Sequence, residues 1–385
     1  MKDWSSIQSQ TIDWLRFPLI VLVVFLHNPG LPPDYSLPML GNDGLAVCLT
    51  AYTKVFFSHV LSHVAVPIYF FISGYLFFAK TPVLTKEVYL SKLKSRWHTL
   101  MVPYLLWIAI PILLALCIWL VRYIIIDFNY SVFLTKVTSI FRDNGGIRLL
   151  WDCKQWGLNV INWIGTPVIE SGPYNYPLWF VRDLMVVVLL SPVIYILIKR
   201  LSYWFILILL SFYFSGIWLS ISGFSSTATL FFSCGAYIAI QQSNIIIEFR
   251  KVEIPCYILF IITLFADTFF DGKYTTVGFN LYHLFVVCGI VATFNIVSRF
   301  VEKGRIKANQ FLTKSVMFVF ALHATILINI YDPLSRLVFS KLGISSDGLL
   351  VYFTTPIVKI VICLLIFYLI NRFAPRVSQL LTGNR

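Results

Sequence analysis

The chain is predicted to fold as an all-α, polytopic membrane bundle of about ten helices, with both termini in the cytoplasm. Three observations predict it. Of its 385 residues, 58% are hydrophobic and only 12% are charged. An ordinary soluble domain is about half apolar and roughly a quarter charged, so too little polar side chain remains here to cover a globule in water. The apolar residues fall into ten runs, and the basic residues cluster in the short gaps between them. Soluble enzymes, disordered chains and disulfide-stapled secreted domains are excluded on these grounds.

The runs lie at 12–28, 55–79, 99–122, 178–198, 203–221, 227–242, 254–270, 277–298, 315–331 and 350–371. A spanning helix needs about 20 residues, so the shorter runs are expected inside the bundle. The first is interrupted by Asp13 and Arg16 and lacks a small-residue cleavage site, which predicts a retained helix and not a signal peptide. With the N-terminus inside, 19 of the 30 Lys and Arg fall on the inner side and nine outside. Five of those nine sit in one long outer loop, about 123–177, whose charges count for less. The net charge of +13 therefore reads as attraction to anionic lipid, with no nucleic-acid partner expected. The remaining expectation is one membrane domain over 1–385 with no fused soluble domain.

The long loop carries Trp151, Trp156 and Trp163 at near-helical intervals. That spacing suggests an amphipathic stretch on the outer interface, in competition with a plain structured connector. A loop of this length is also a candidate vestibule wall. Five of the seven cysteines lie inside apolar runs as small hydrophobes, which leaves Cys48 and Cys153 as the one pair a disulfide could join.

The first run carries the sharpest chemical signal. Arg16 and His27 are eleven positions apart, which is three helical turns plus ~20°, so both project from one face with ~16 Å between them. Asp13 shares that face and is placed to orient the guanidinium. Charge inside a membrane helix is expensive and marks function, although snorkelling of Arg16 and an interfacial His27 compete with that reading. His59 and His63 have metal-ligand spacing, but no further ligand completes a shell, so no metal is assigned. His63 is instead a candidate neighbour of His27. His323 reads as a buried, hydrogen-bonded histidine, and Lys359 sits in mid-run without an evident partner.

The stretch Asp13-x-x-Arg16, ten residues, His27 resembles the start of the membrane acyltransferase 3 family. Residues 64–76, an aromatic run ending in Ser73-Gly74, are similar to that family's second-helix phrase. The basic Lys92-Leu93-Lys94-Ser95-Arg96 leading to Pro103-Tyr104, and Leu178-Trp179-Phe180, resemble two further family signatures. The resemblance implies transfer of an acyl group, commonly acetyl, from cytoplasmic acyl-CoA to a sugar hydroxyl. It implies acyl-CoA as co-substrate with no permanently bound cofactor, a glycan or lipid-linked sugar as acceptor, and a bacterial inner membrane as the location.

Each residue can be read for that task. His27 titrates near neutrality and can serve either as general base or as covalent acyl carrier. Arg16 presents a planar fork suited to the donor's phosphate or carbonyl. Lys92, Lys94 and Arg96 can gather the donor's phosphates, or simply anchor the loop to the inner leaflet. His63, Trp179 and Arg182 are candidates for the acceptor side, where an ion pair between Arg182 and Asp183 beside an interfacial Trp179 is the competing role. A transporter or flippase for a lipid-linked sugar is the rival function. Against it, the carboxylates within runs (Asp13, Asp183, Asp267) all lie near run ends.

Overall fold

The computed structural model describes residues 3–28, 37–38, 43–81, 83–161, 167–219, 221–270, 276–345 and 347–383. Most of them are helical. In chain order the helices are α1 (Trp4–Leu26), α2 (Leu45–Phe78), α3 (Lys86–Ile126), α4 (Tyr130–Arg142), α5 (Tyr176–Leu189), α6 (Ser191–Leu201) and α7 (Tyr203–Ser215). They continue with α8 (Ser226–Ile240), α9 (Ile245–Arg250), α10 (Glu253–Phe270), α11 (Thr276–Glu302), α12 (Gln310–Leu322), α13 (Thr325–Lys341), α14 (Leu349–Phe373) and α15 (Pro375–Thr382). Polar caps start several of them: Asp3 accepts from Ser6 N, Ser225 from Ala228 N, and Asn309 from Phe311 N.

Among the described residues, five helices are long and apolar enough to cross a membrane: α1, α2, α3, the stretch of α11 from Asn280, and α14. Two bent pairs, α5 with α6 (60°) and α12 with α13 (76°), bring the number to seven if each pair is one span. All ten predicted runs are occupied by helix, but the runs at 203–221, 227–242 and 254–270 correspond to the shorter α7, α8 and α10. The polytopic helical class therefore holds. The α5–α6 bend falls at Leu190, two residues before Pro192, which has no N–H to give to the helical ladder. Helix α3 shows Leu113, Ile118, Val121, Ile124 and Ile125 on its outside, an apolar face suited to lipid.

The tightest helix crossing joins α2 and α8. A Cβ built on Gly74 would lie 2.0 Å from the Phe232 carbonyl oxygen, and one on Gly235 would lie 2.0 Å from that of Phe71. The two backbones touch reciprocally, each through the other's glycine.

The long loop departs from the expected amphipathic helix. Residues 130–142 form α4, while β1 (Lys154–Ile161) and β2 (Pro167–Gly172) pair antiparallel, from Lys154↔Gly172 to Ile161↔Pro167. Trp151 lies in a turn and Trp156 in β1, so their spacing is not helical, and Trp163 falls outside the described residues. The piece is docked on the bundle. Tyr104 donates to the Leu150 carbonyl at 2.5 Å, and the Trp151 indole to Ser222 O at 3.1 Å. Cys48 and Cys153 are both free thiols, so no disulfide joins them.

Candidate functional site

Helix α1 ends on His27, and three neighbours fix that end. The last carbonyls of a helix lack intrahelical donors. Ser58 of α2 supplies one, its hydroxyl lying 2.8 Å from Phe25 O and 3.0 Å from Asn28 O. Pro356 of α14 has no N–H to offer the carbonyl four residues earlier, that of Tyr352. Asn28 Nδ2 takes this stranded acceptor at 3.0 Å, tying the residue after His27 to α14. The Tyr352 hydroxyl closes the group at 2.6 Å from Ser58 Oγ.

The half-buried His27 ring faces two others. Tyr176, at the start of α5, lies edge-on at 5.1 Å between ring centroids, with its hydroxyl 3.3 Å from His27 Nδ1. The imidazole of His323 lies 5.2 Å away, tilted by 34°. His323 sits at the break between α12 and α13 and is 1% exposed. Its Nδ1 lies 3.0 Å from Val319 O and 2.8 Å from Phe320 O. Both partners are acceptors, so Nδ1 carries the proton and Nε2 keeps its lone pair. The side chain thereby enters the hydrogen-bond ladder at the break itself.

Lys359 of α14 is 2% exposed and pairs with Asp332 of α13, Nζ to Oδ1 2.7 Å. Its ammonium lies within electrostatic reach of both His27 and His323. A buried cation needs such a counter-charge. The sequence reading leaves Lys359 without a partner because Asp332 falls one residue past the apolar run at 315–331. In the fold, the carboxylate is carried by the second arm of a bent helix and returns toward the core.

The other predicted residues separate into those the fold places near this centre and those it directs elsewhere. Asp13 and Arg16 pair as expected, Oδ1 to Nη1 3.6 Å, both partly exposed at a distance along α1 from His27. The Tyr69 hydroxyl donates to the Arg16 carbonyl at 2.5 Å and steadies that turn against α2. Lys94 is exposed, but Lys92 turns back onto the end of α2, where its ammonium meets the Phe77 carbonyl and lies 4.7 Å from the Phe77 ring. Arg96 approaches the same ring at 6.0 Å. A cation at a helix C-terminus is favoured by the dipole, and this placement competes with a shared phosphate cradle.

His63 meets the ring of Tyr282 in α11 at 5.2 Å, while the rings beside His27 are Tyr176 and His323. The shared face expected of His59 and His63 assumes regular α-helix through residues 55–64. The chain there makes a π-turn (Val55–Val60) followed by a 3₁₀ turn (Leu61–Val64), which changes the faces that His59 and His63 present. Trp179 packs its ring 6.5 Å from Phe70. Arg182 is 3% exposed, bonded through Nε and Nη2 to Asp183 Oδ1 (2.9 and 2.8 Å) and through Nη1 to the Trp151 carbonyl (2.8 Å). It thus takes the ion-paired role, clamping the long loop onto α5.

A half-buried imidazole with a hydroxyl and a second imidazole beside it can accept and pass a proton, and so supports nucleophilic attack by a hydroxyl group. Comparison with known proteins gives the family. The family model described as "Acyltransferase domain" matches residues 9–372. The chain is 29% identical over 395 aligned residues to the succinoglycan biosynthesis protein ExoH of Rhizobium meliloti (strain 1021), covering 98% of this chain and 92% of that protein. No solved structure matches it. With a match that runs from α1 through α14, the chain belongs to the membrane acyltransferase 3 family and is an O-acyltransferase.

Proposed function

We propose that the protein transfers an acyl group, acetyl in the simplest case, from cytoplasmic acyl-CoA to a hydroxyl of a cell-surface or lipid-linked glycan, in a bacterial inner membrane. The observation that carries this reading is the His27 imidazole, held at the end of α1 between the Tyr176 hydroxyl and the His323 ring. The glycan acceptor is supported by the similarity to a polysaccharide biosynthesis protein over nearly the whole of both chains.

In the tautomer where Nδ1–H donates to the Tyr176 oxygen, His27 Nε2 carries a lone pair. That nitrogen takes the acceptor's hydroxyl proton as the oxygen attacks the thioester carbonyl. The acyl–oxygen bond forms, the carbon–sulfur bond breaks, and the proton passes to the departing CoA thiolate. Arg16, paired with Asp13 and ~16 Å along the helix axis, holds the phosphorylated part of the donor. The donor arm then threads from the cytoplasmic side toward His27, with exposed Lys94 adding long-range attraction. This assignment places the N-terminus inside, in keeping with the basic bias of the loops that then face inward.

The rival carrier would use the two bent helix pairs as gates. Purified protein in nanodiscs, given labelled acetyl-CoA and a polyprenyl-linked oligosaccharide, separates the two. Stoichiometric release of CoA and ester formation on the sugar is the expected result. Solute movement with the thioester intact would overturn the reading.

A further inference from the structure

Two backbone carbonyls near the site lose their helical donors for independent reasons. Pro111 stands four residues after Trp107 in α3 and has no N–H to give to the Trp107 carbonyl. The 76° break after α12 leaves the Ala321 carbonyl at a helix end. One side chain meets both. Asn175 Nδ2 donates to Trp107 O at 2.9 Å and to Ala321 O at 3.0 Å. Its Oδ1 accepts from the Thr325 hydroxyl at 2.7 Å. Asn175 is 0% exposed, and both amide hydrogens and the carbonyl oxygen are engaged.

The positions it holds are informative. Ala321 and Thr325 lie two residues before and two residues after His323, so the amide spans the break. The next residue in the chain is Tyr176, whose hydroxyl meets His27. A single planar amide therefore locks three elements (α3, the start of α5 and the α12–α13 break) around the two imidazoles. Replacement by a carboxylate would remove the donors and set a negative charge against two carbonyl oxygens.

We infer that Asn175 is a positioning residue of the site: it locks the α12–α13 break to α3 and so holds the His323 ring beside that of His27. Its effect on turnover rests on the function proposed above, whereas its effect on geometry does not. Small misplacements of reacting groups, of the order of 1 Å, cost about 10²-fold in rate.

The test therefore has two readouts, both on the full-length chain in nanodiscs. In a background with the seven native cysteines replaced, His27→Cys and His323→Cys are joined by a short bifunctional thiosulfonate. Asn175→Ala should slow that cross-linking about tenfold. Thr325→Val, which removes one arm and leaves both carbonyls satisfied, should slow it about threefold and keeps the test valid if Asn175→Ala does not fold. In the native background, Asn175→Ala should lower kcat about 100-fold with the KM for acetyl-CoA within threefold, and should add no further loss to His323→Ala. Cross-linking within twofold of the parent in every folded variant would overturn the inference, as would a full additional loss on top of His323→Ala. If cross-linking slows while His27→Ala leaves transfer intact, the positioning role stands and the proposed function fails.

Discussion

Replacing His27 with alanine should lower acyl transfer by a factor on the order of 10²–10⁴, the usual contribution of a positioned general acid–base group. Each tenfold step corresponds to about 1.4 kcal/mol of lost transition-state stabilisation. The fold should survive, because the end of α1 is held by backbone and neighbouring side chains: Ser58 on Phe25 O and Asn28 O, and Asn28 on Tyr352 O. Turnover is measured as CoA release with acceptor present, alongside donor binding. Unchanged binding with transfer reduced at least 100-fold is the expected pattern. If His27 instead carries the acyl group covalently, wild-type protein given labelled acetyl-CoA without acceptor will retain label after rapid denaturation at neutral pH and lose it on acidification, and the alanine variant will not be labelled. Turnover within threefold of wild type would remove His27 from the mechanism altogether.

The largest effect on folding is expected at the α2–α8 crossing. In Gly74→Ala the new methyl carbon would meet the Phe232 carbonyl at 2.0 Å, and in Gly235→Ala it would meet that of Phe71 at the same distance. Both obstacles are backbone, so no rotamer change relieves them; one helix must move bodily. Overpacking a well-packed core costs about 1–3 kcal/mol and occasionally more, and with no side chain able to yield these two substitutions belong at the upper end. Either variant should show a thermal midpoint in detergent well below wild type, or fail to accumulate. Gly44→Ala is the control, since a Cβ there meets nothing within 4 Å. A Gly74→Ala protein melting together with that control would show that the helices are not in contact at this point.

Much of this arrangement was legible in the residues. Asp13, Arg16 and His27 fall on one helix face by period alone, and their ion pair follows from the three-residue spacing. Ser73-Gly74 signals close helix approach, and the fold uses Gly74 for that purpose. What escaped the sequence depends on contacts between distant segments. Asp332 looks like a loop carboxylate until the α12–α13 break brings it to Lys359. Asn28 and Asn175 are ordinary polar residues until Pro356 and Pro111 strand the carbonyls they serve. A proline four residues after a carbonyl was the available signal, but nothing in one dimension says which amide will answer it. The β1–β2 hairpin was hidden by three tryptophans whose spacing imitates a helix. The faces of His59 and His63 were not legible either, because a π-turn followed by a 3₁₀ turn breaks the 3.6-residue period there.

The central claim, that this membrane bundle esterifies a glycan through His27, is tested most directly on the product made in the cell. Surface and lipid-linked glycans from a strain lacking the gene are compared by mass spectrometry and alkaline ester release with those from strains restored with wild type or with His27→Ala. The account predicts an alkali-labile acyl group that is lost on deletion, returned by the wild-type chain and absent with His27→Ala at equal membrane abundance. Glycans with identical acylation in all strains would contradict it.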